Sequence, residues 1–331
     1  MLRVRPDRRL RVRGLAATRA ARWLALGALL ATGAATSTVK AEVRQEAGPT
    51  PAPARVPVAA NFSSLELVTA GAALVAGGTL MLFGQRIFGS PTPSLGPPQS
   101  GSFDRTWSDR LHLDDGSGHH FLWRAPDIAG FFVLPYLPAI AYAVDAATTA
   151  GGGAPRLFDD PNADHRFFAY GEALGWTLLV AGVTKVVVGR ERPYATLGHP
   201  ELAGPSNEVD VSFFSAHAAI MFAAASFVAL DTSRRLDAGP LAAASPLRRA
   251  VLGTVVPYLV AFGTASVVAV SRIIDQQHWP SDVLVGALVG GGIAHLAYLT
   301  HFDENGQPRG AASRVRLVPT PTGMAVVGLL P

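Results

Sequence analysis

Long runs of apolar residues alternate with shorter polar stretches along most of this chain. Six of these runs, each of about 16 to 21 residues, are close to the length that crosses the hydrocarbon core of a membrane. They are Leu65–Phe83, Ile128–Ala147, Phe168–Val188, Phe213–Leu230, Val251–Val270 and Val283–Tyr298. Their many alanines and glycines suit close helix packing in a bilayer. The pattern predicts an all-α, polytopic bundle of about six apolar helices, although buried helices of a soluble bundle have a similar composition.

The regions between and beyond these runs predict the domain organisation. We expect a signal peptide or an uncleaved signal anchor at 1–41, because arginines precede a short apolar run. A Pro/Ala-rich linker at 42–64 follows, then the first apolar helix and a polar loop at 65–124. The core is expected at 125–300, and a polar tail with a possible hairpin at 301–331. The second apolar run is the weakest, since Pro135 and Pro138 interrupt it.

Composition removes several classes of function. Only 16% of the residues are charged, and eight arginines of this chain of net charge +4 fall within the first 22 residues. The basic excess therefore belongs to a targeting or membrane-flanking segment, and we predict no nucleic-acid partner. The chain has no cysteine, which excludes a disulfide framework and thiolate metal ligands. The adjacent His119 and His120 lie in a Gly/Ser-rich stretch that is typical of a solvated loop, with a metal site as the minor alternative; no metal site and no cofactor are predicted.

The most informative polar cluster lies where the fifth apolar run ends and the sixth begins. Here Ser271 and Arg272 are followed by His278 and Asp282. A neutral, oriented imidazole can attack phosphorus, and a carboxylate four residues on lies on the same helical face to hold it. Arg272 offers the planar fork that suits phosphate oxygens. This spacing predicts a nucleophilic histidine beside a phosphate site.

A second cluster ends the third run, where Lys185 precedes Arg192 and Pro193. Seven residues are close to two helical turns, so both cations share a face. Two converging cations repel each other unless an anion lies between them, although a positively charged membrane flank is the alternative explanation. Lys185 is one of only two lysines in the chain, which favours a functional role.

A third cluster opens the fourth run, where Ser215, Ala216 and His217 follow a pair of phenylalanines. Ser215 can cap the helix and leave the first backbone N–H groups directed at an anion. His217 lies in the first turn, where it could give or take a proton. In an up-and-down bundle all three clusters fall at the same membrane face.

Together the clusters resemble the three-part signature of the type 2 phosphatidic acid phosphatases, whose superfamily also includes bacterial acid phosphatases and vanadium haloperoxidases. The matching residues are Lys185, Arg192 and Pro193, then Phe214 to His217, then Ser271, Arg272, His278 and Asp282. The resemblance covers roughly residues 120 to 300.

The resemblance implies a metal-independent hydrolase acting through a phosphohistidine. His278 corresponds to the nucleophile, Asp282 to the residue that orients it, and His217 to the acid that protonates the leaving group. The phosphate-binding positions fall on Lys185, Arg192, Ser215, Ala216 and Arg272. Ala216 departs from the usual glycine, and a methyl group there is expected to crowd the phosphate and slow the reaction.

The expected substrate is an amphiphilic phosphate monoester or diphosphate, whose identity the sequence leaves open. Arginines between the fourth and fifth runs favour a bacterial plasma-membrane protein whose site faces the periplasm. A cleaved signal followed by six crossings would reverse this, unless the second run does not cross fully. The alternatives are a soluble periplasmic acid phosphatase, a vanadate-dependent haloperoxidase and an inactive membrane scaffold. Oligomeric state is left open.

Overall fold

The computed structural model describes residues 62–112, 120–150, 160, 162–199, 202, 208–309, 316–320 and 323–327. The predicted signal segment at 1–41, most of the linker and His119 lie outside these residues. Within them the protein is mostly helical with very little sheet, which confirms the all-α prediction.

The described residues form nine α-helical segments. They are α1 (Ser64–Phe88), α2 (Phe103–Leu111), α3 (His120–Phe132), α4 (Leu137–Ala150), α5 (Ala163–Val187), α6 (Pro193–Thr196), α7 (Ala216–Ala238), α8 (Pro246–Ile274) and α9 (Pro280–His301). The first turns of α8 contain a π-helical stretch at Arg249–Val255. Strand β1 (Pro93–Leu95) pairs in parallel with β2 (Gly189–Arg190), and β3 (Arg316–Thr320) pairs antiparallel with β4 (Gly323–Val327). The second pair forms a hairpin in the C-terminal tail, where the sequence predicts one.

Six of the segments are long and apolar enough to cross a membrane. They include Ile128–Ala147, which spans the end of α3, a 3₁₀ turn at Leu134–Tyr136 and most of α4. Pro135 lies in that turn and lacks the N–H group that a continuous helix requires. Large apolar side chains are exposed along these segments, among them Val75, Leu259, Leu288 and Leu296. Their exposure suits contact with lipid rather than water, and the protein is a membrane protein.

Helices α9 and α7 approach each other closely at Gly290. A Cβ atom built on Gly290 of α9 would lie 1.9 Å from the carbonyl oxygen of Ala219 in α7, so only glycine fits there. A buried aromatic cluster lies toward the C-terminal end of α9. It consists of Tyr170, Phe227, Tyr298 and Phe302, and most of its ring contacts are edge-to-face. These contacts fix α5, α7 and α9 as the centre of the bundle.

A buried polar network, here called the distal network, joins α5 to α7. Arg166 donates to Asp231 at 2.8 Å and contacts Asp160 at 2.8 Å, and all three side chains are almost fully buried. The hydroxyl groups of Tyr142 and Tyr298 both donate to Asp231 at 3.2 Å. Each charge of the distal network therefore has a partner of opposite sign, which a buried charge requires.

The polar region after α1 differs from the expected loop. It contains α2, whose N-cap is Ser102; its side-chain oxygen accepts from the backbone N–H of Arg105 at 3.3 Å. Phe103, Trp107 and Leu111 recur at intervals of four residues, which places them on one face of a helix. The sequence predicts a loop for this region, because charged residues and nearby prolines interrupt the apolar pattern that would indicate a helix.

Candidate active site

The three sequence clusters come together at one end of the bundle. Lys185 closes α5, Ser215 caps α7, Arg272 lies in the last turn of α8 and Asp282 in the first turn of α9. The backbone N–H of Ser215 donates to the carbonyl of Asp282 at 3.1 Å, which ties the second cluster directly to the third. The alternation of helix direction explains the convergence, as the sequence predicts.

His278 is buried in the loop between α8 and α9. Its Nδ1 atom lies 2.6 Å from the carbonyl oxygen of Ser212. A carbonyl can only accept, so Nδ1 carries the hydrogen and the lone pair of the neutral ring is on Nε2. Burial, reinforced by the charges of Lys185, Arg192, Arg272 and His217, lowers the pKa of His278 well below its ordinary value. The ring is therefore neutral, with Nε2 available as a nucleophile.

Asp282 lies behind His278 rather than against it. Its Oδ2 atom accepts from the Ser212 hydroxyl at 2.5 Å and from the Trp279 backbone N–H at 3.0 Å, and is 4.0 Å from His278 Nδ1. Its Oδ1 accepts from Arg190. The expected direct hydrogen bond from the imidazole to this carboxylate is thus replaced by one to the Ser212 carbonyl. Asp282 holds Ser212 in place, and its negative charge remains close to the ring.

Three buried cationic side chains surround the histidine: Lys185, Arg192 and Arg272. Lys185 Nζ donates to the Val211 carbonyl at 2.7 Å. Arg192 donates to the carbonyl of Glu208 at 2.7 Å and to the Gln277 side chain at 2.9 Å. Burial lowers the pKa of Arg192 from its ordinary high value. Three cations gathered in a buried space favour an anion there.

Arg272 and the start of α7 complete the set. Arg272 Nη1 lies 3.4 Å from Asp275, and its side chain is almost fully buried. The Ser215 hydroxyl oxygen accepts from the backbone N–H of Ala218 at 3.4 Å, as an N-cap does. The start of α7 presents backbone N–H groups and the positive end of the helix dipole to the site, which suits an anion.

Ala216 and His217 have different surroundings. The Ala216 side chain is buried in an apolar cluster with Ala181, Phe214 and Ala219. The His217 ring is only partly buried, and its centroid lies 4.8 Å from that of Phe131 in α3. The second apolar segment therefore contributes directly to the site. His217 is the more accessible of the two histidines, which suits exchange of a proton with a substrate or water.

Three residues contribute to the site in ways that the sequence does not predict: Ser212, which opens the second cluster, and Arg190 and Asp104, which lie outside the clusters. Ser212 contributes through its backbone carbonyl and hydroxyl, Arg190 contacts Asp282, and Asp104 reaches Arg190 from α2 at 2.6 Å. The charge of Arg190, between Lys185 and Arg192, is a signal that could have found it. Asp104 has no such signal, because it precedes Arg190 by 86 positions. Among the described residues, no group of three histidines and carboxylates could hold a metal ion.

These features define a helical bundle with a cation-lined histidine site at one end. The sequence model of the PAP2 superfamily matches residues 166–305, which include every residue of the three clusters. A PA-phosphatase related-family protein of Dictyostelium discoideum is 28% identical over 134 residues, which cover 40% of this chain and 47% of that relative. The match thus spans about half the length of the relative. The predicted resemblance is confirmed over residues 166–305, which match the PAP2 superfamily model.

Proposed function

We propose that the protein is a phosphatase that hydrolyses an amphiphilic phosphate monoester or diphosphate through a phosphohistidine. The observation that carries this proposal is the state of His278: a buried, neutral ring whose Nδ1–H is held by the Ser212 carbonyl at 2.6 Å. The PAP2 superfamily match supports phosphatase chemistry in general. The cations and the α7 N-terminus supply the charge stabilisation that phosphoryl transfer needs.

In the first step, Nε2 of His278 attacks phosphorus and the bond from phosphorus to the leaving oxygen breaks. His217 gives its proton to that oxygen, so the alcohol or phosphate leaves with balanced charge. The phosphohistidine ring is positively charged and keeps its hydrogen on Nδ1. The Ser212 carbonyl and the nearby carboxylate of Asp282 stabilise that charge. Lys185, Arg192 and Arg272 face the phosphoryl oxygens.

In the second step, water attacks phosphorus from the side that the leaving group has vacated. His217, now neutral, accepts a proton from this water, and the nitrogen–phosphorus bond breaks. Inorganic phosphate is released and His278 returns to the neutral state with its lone pair on Nε2. No group other than water is consumed, so the reaction balances as a hydrolysis.

An apolar groove beside the site supports a lipid substrate. The groove has a volume of about 240 Å³ and lies between α2, α8 and α9. Ile273 and Pro280 line the end of the groove next to the site residues of α8 and α9, and Ser266 and Ala287 line it about two helical turns farther from the site. A hydrocarbon chain in the groove would leave its phosphate near the cations. This argues for an amphiphilic substrate over a small soluble phosphate ester.

The arginines at the opposite end of the bundle support the orientation. Arg234, Arg235, Arg248 and Arg249 flank the α7–α8 connection, which lies opposite the site. A loop rich in arginine usually stays in the cytoplasm, so the site faces the periplasm of a bacterial plasma membrane. A soluble periplasmic phosphatase is less well supported, because six segments are long and apolar enough to cross a membrane.

The decisive experiment measures phosphate release in detergent with EDTA, from phosphatidic acid and from undecaprenyl diphosphate, by the parent and by His278→Ala. We expect release by the parent alone. Trapping with ³²P-labelled substrate should give an acid-labile, base-stable phosphohistidine in the parent, and none in His278→Ala. Equal phosphate release by both proteins would exclude His278 as the nucleophile. The absence of both phosphate release and trapping would favour an inactive scaffold.

A further inference from the structure

We propose that α2 is a positioning helix for the nucleophile, and that Asp104 is the residue through which it acts. This inference rests on the proposed phosphatase function. Asp104 lies outside the residues 166–305 that match the superfamily model, so the match assigns it no role.

The first observation is a chain of buried charges that begins on α2. Asp104 Oδ2 accepts from Arg190 Nη2 at 2.6 Å, and Arg190 Nη1 donates to Asp282. Asp282 in turn accepts from the Ser212 hydroxyl at 2.5 Å, and the Ser212 carbonyl holds His278 at 2.6 Å. One guanidinium fork therefore bridges two carboxylates, and the second carboxylate fixes the residue that orients the nucleophile.

The second observation is that α2 holds both sides of the loop that carries His278. Ser281 donates to Asp104 through its backbone N–H at 2.8 Å and through its hydroxyl at 2.7 Å. On the other side of His278, the Gln276 side chain donates to the Ser108 carbonyl of α2 at 3.2 Å. Gln276 has a positive φ of 56°, which a non-glycine residue adopts only when its surroundings hold it. The contacts with α2 are therefore part of what fixes the loop.

Loss of the Asp104 charge has a specific chemical consequence. An amide at this position has one acceptor oxygen where the carboxylate has two, so it cannot serve Arg190 and both donors of Ser281, and the fork of Arg190 would no longer bridge two carboxylates. The side chains of Asp282 and Ser212 would then be less restrained, and the His278 ring would be oriented less precisely. Since a misplacement of about 1 Å can cost a hundredfold in rate, the chemical step should slow while ground-state anion binding by Lys185 and Arg272 persists.

The test compares Asp104→Asn with Asp109→Asn. Asp109 is a matched control because it lies on the same helix, is largely exposed and pairs with Arg105 at 3.4 Å. For a short-chain phosphate ester we expect kcat of Asp104→Asn to fall about tenfold to a hundredfold with KM within about twofold of the parent. Asp109→Asn should match the parent in both.

Two inhibitors separate positioning from general loss of structure. Orthovanadate adopts the five-coordinate geometry of the transition state and requires an aligned His278, whereas inorganic phosphate binds as a ground-state anion. The inhibition constant of vanadate should therefore rise with the loss of kcat in Asp104→Asn, and that of phosphate should stay constant. A parallel rise of both constants, or no change in kcat, would overturn the inference.

A second variant covers the case in which Asp104→Asn does not fold. Ser281→Ala keeps the backbone donor to Asp104 but removes the hydroxyl that contacts Asp104 and Arg190. This variant should lower kcat and raise the inhibition constant of vanadate without changing that of phosphate. Unchanged kinetics would overturn the inference. A parent that releases no phosphate and binds no vanadate would instead overturn the proposed function, so the two failures are distinguishable.

Discussion

The Nδ1 atom of His278 lies 2.6 Å from the backbone carbonyl of Ser212, closer than to any carboxylate oxygen described for it. The tautomer of the proposed nucleophile is therefore set by the main chain. The Ser212 hydroxyl bonds Asp282, so the carboxylate acts on the histidine mainly through the position of this one serine.

Ser212→Ala should lower kcat about tenfold, because the carbonyl remains but loses the hydrogen bond that fixes it. The free energy of unfolding should fall by about 1 kcal/mol, since the buried carboxylate of Asp282 keeps its other donors. Steady-state kinetics and thermal unfolding in detergent measure both effects. The control is Ser226→Ala, at a buried serine within α7, and it should leave kcat unchanged. An unaltered kcat in Ser212→Ala would show that the hydroxyl does not position the carbonyl.

The low pKa of His278 makes the stability of the protein depend on pH in a defined direction. Burial and the cations Lys185, Arg192 and Arg272 keep the folded ring neutral, with His217 and Asp282 also nearby. In the unfolded chain the ring binds a proton below about pH 6.5, so the contribution of this residue to stability is lost as the pH falls.

We therefore expect the parent to lose more stability than His278→Gln between about pH 7 and pH 5, by at most about 1.4 kcal/mol per pH unit. Thermal unfolding in detergent across this range measures the difference. The glutamine variant has no titrating ring at this position and serves as the reference. Parallel curves for the two proteins would contradict a neutral buried imidazole.

Filling the apolar groove should discriminate between long and short substrates. Ser266 lines the groove and is exposed on the surface of α8, so Ser266→Phe adds bulk without disturbing the core. KM for a long-chain phosphate should rise about tenfold, while a short-chain ester is unaffected. Val267→Phe is the matched control, because Val267 is exposed on the same helix and does not line the groove. Equal effects on both chain lengths would argue against the groove as the chain site.

Ala216→Gly should not increase kcat. The sequence suggested that this methyl group crowds the phosphate, but the structure buries it against Ala181, Phe214 and Ala219. Its removal should lower the free energy of unfolding by about 1 kcal/mol through lost packing and added backbone freedom. Kinetics and thermal unfolding of the two proteins decide this, and a clear gain in kcat would restore the crowding explanation.

The sequence predicts the apolar segments well because each spans several turns and its composition differs sharply from the regions between. The convergence of Lys185, His217 and His278 is also predictable, since alternating helices bring alternate ends together. The partnership of Asp104 with Arg190 is not, because it depends on how a short amphipathic helix docks on the bundle. The Ser212 carbonyl is equally hidden, since every residue has one and only the folded chain selects which is used.

Two buried polar sites along α7, its N-cap Ser215 and Asp231, are separated by a defined distance. From Ser215 in the active site to Asp231 in the distal network, the helix rises about 24 Å at 1.5 Å per residue. A typical hydrocarbon core is about 30 Å thick, so the apolar band at the centre of the bundle is several ångströms shorter. A bilayer that places both the active site and the distal network near its headgroups therefore thins by several ångströms around the protein. Thinning brings the phosphate groups of neighbouring lipids closer to the depth of His278.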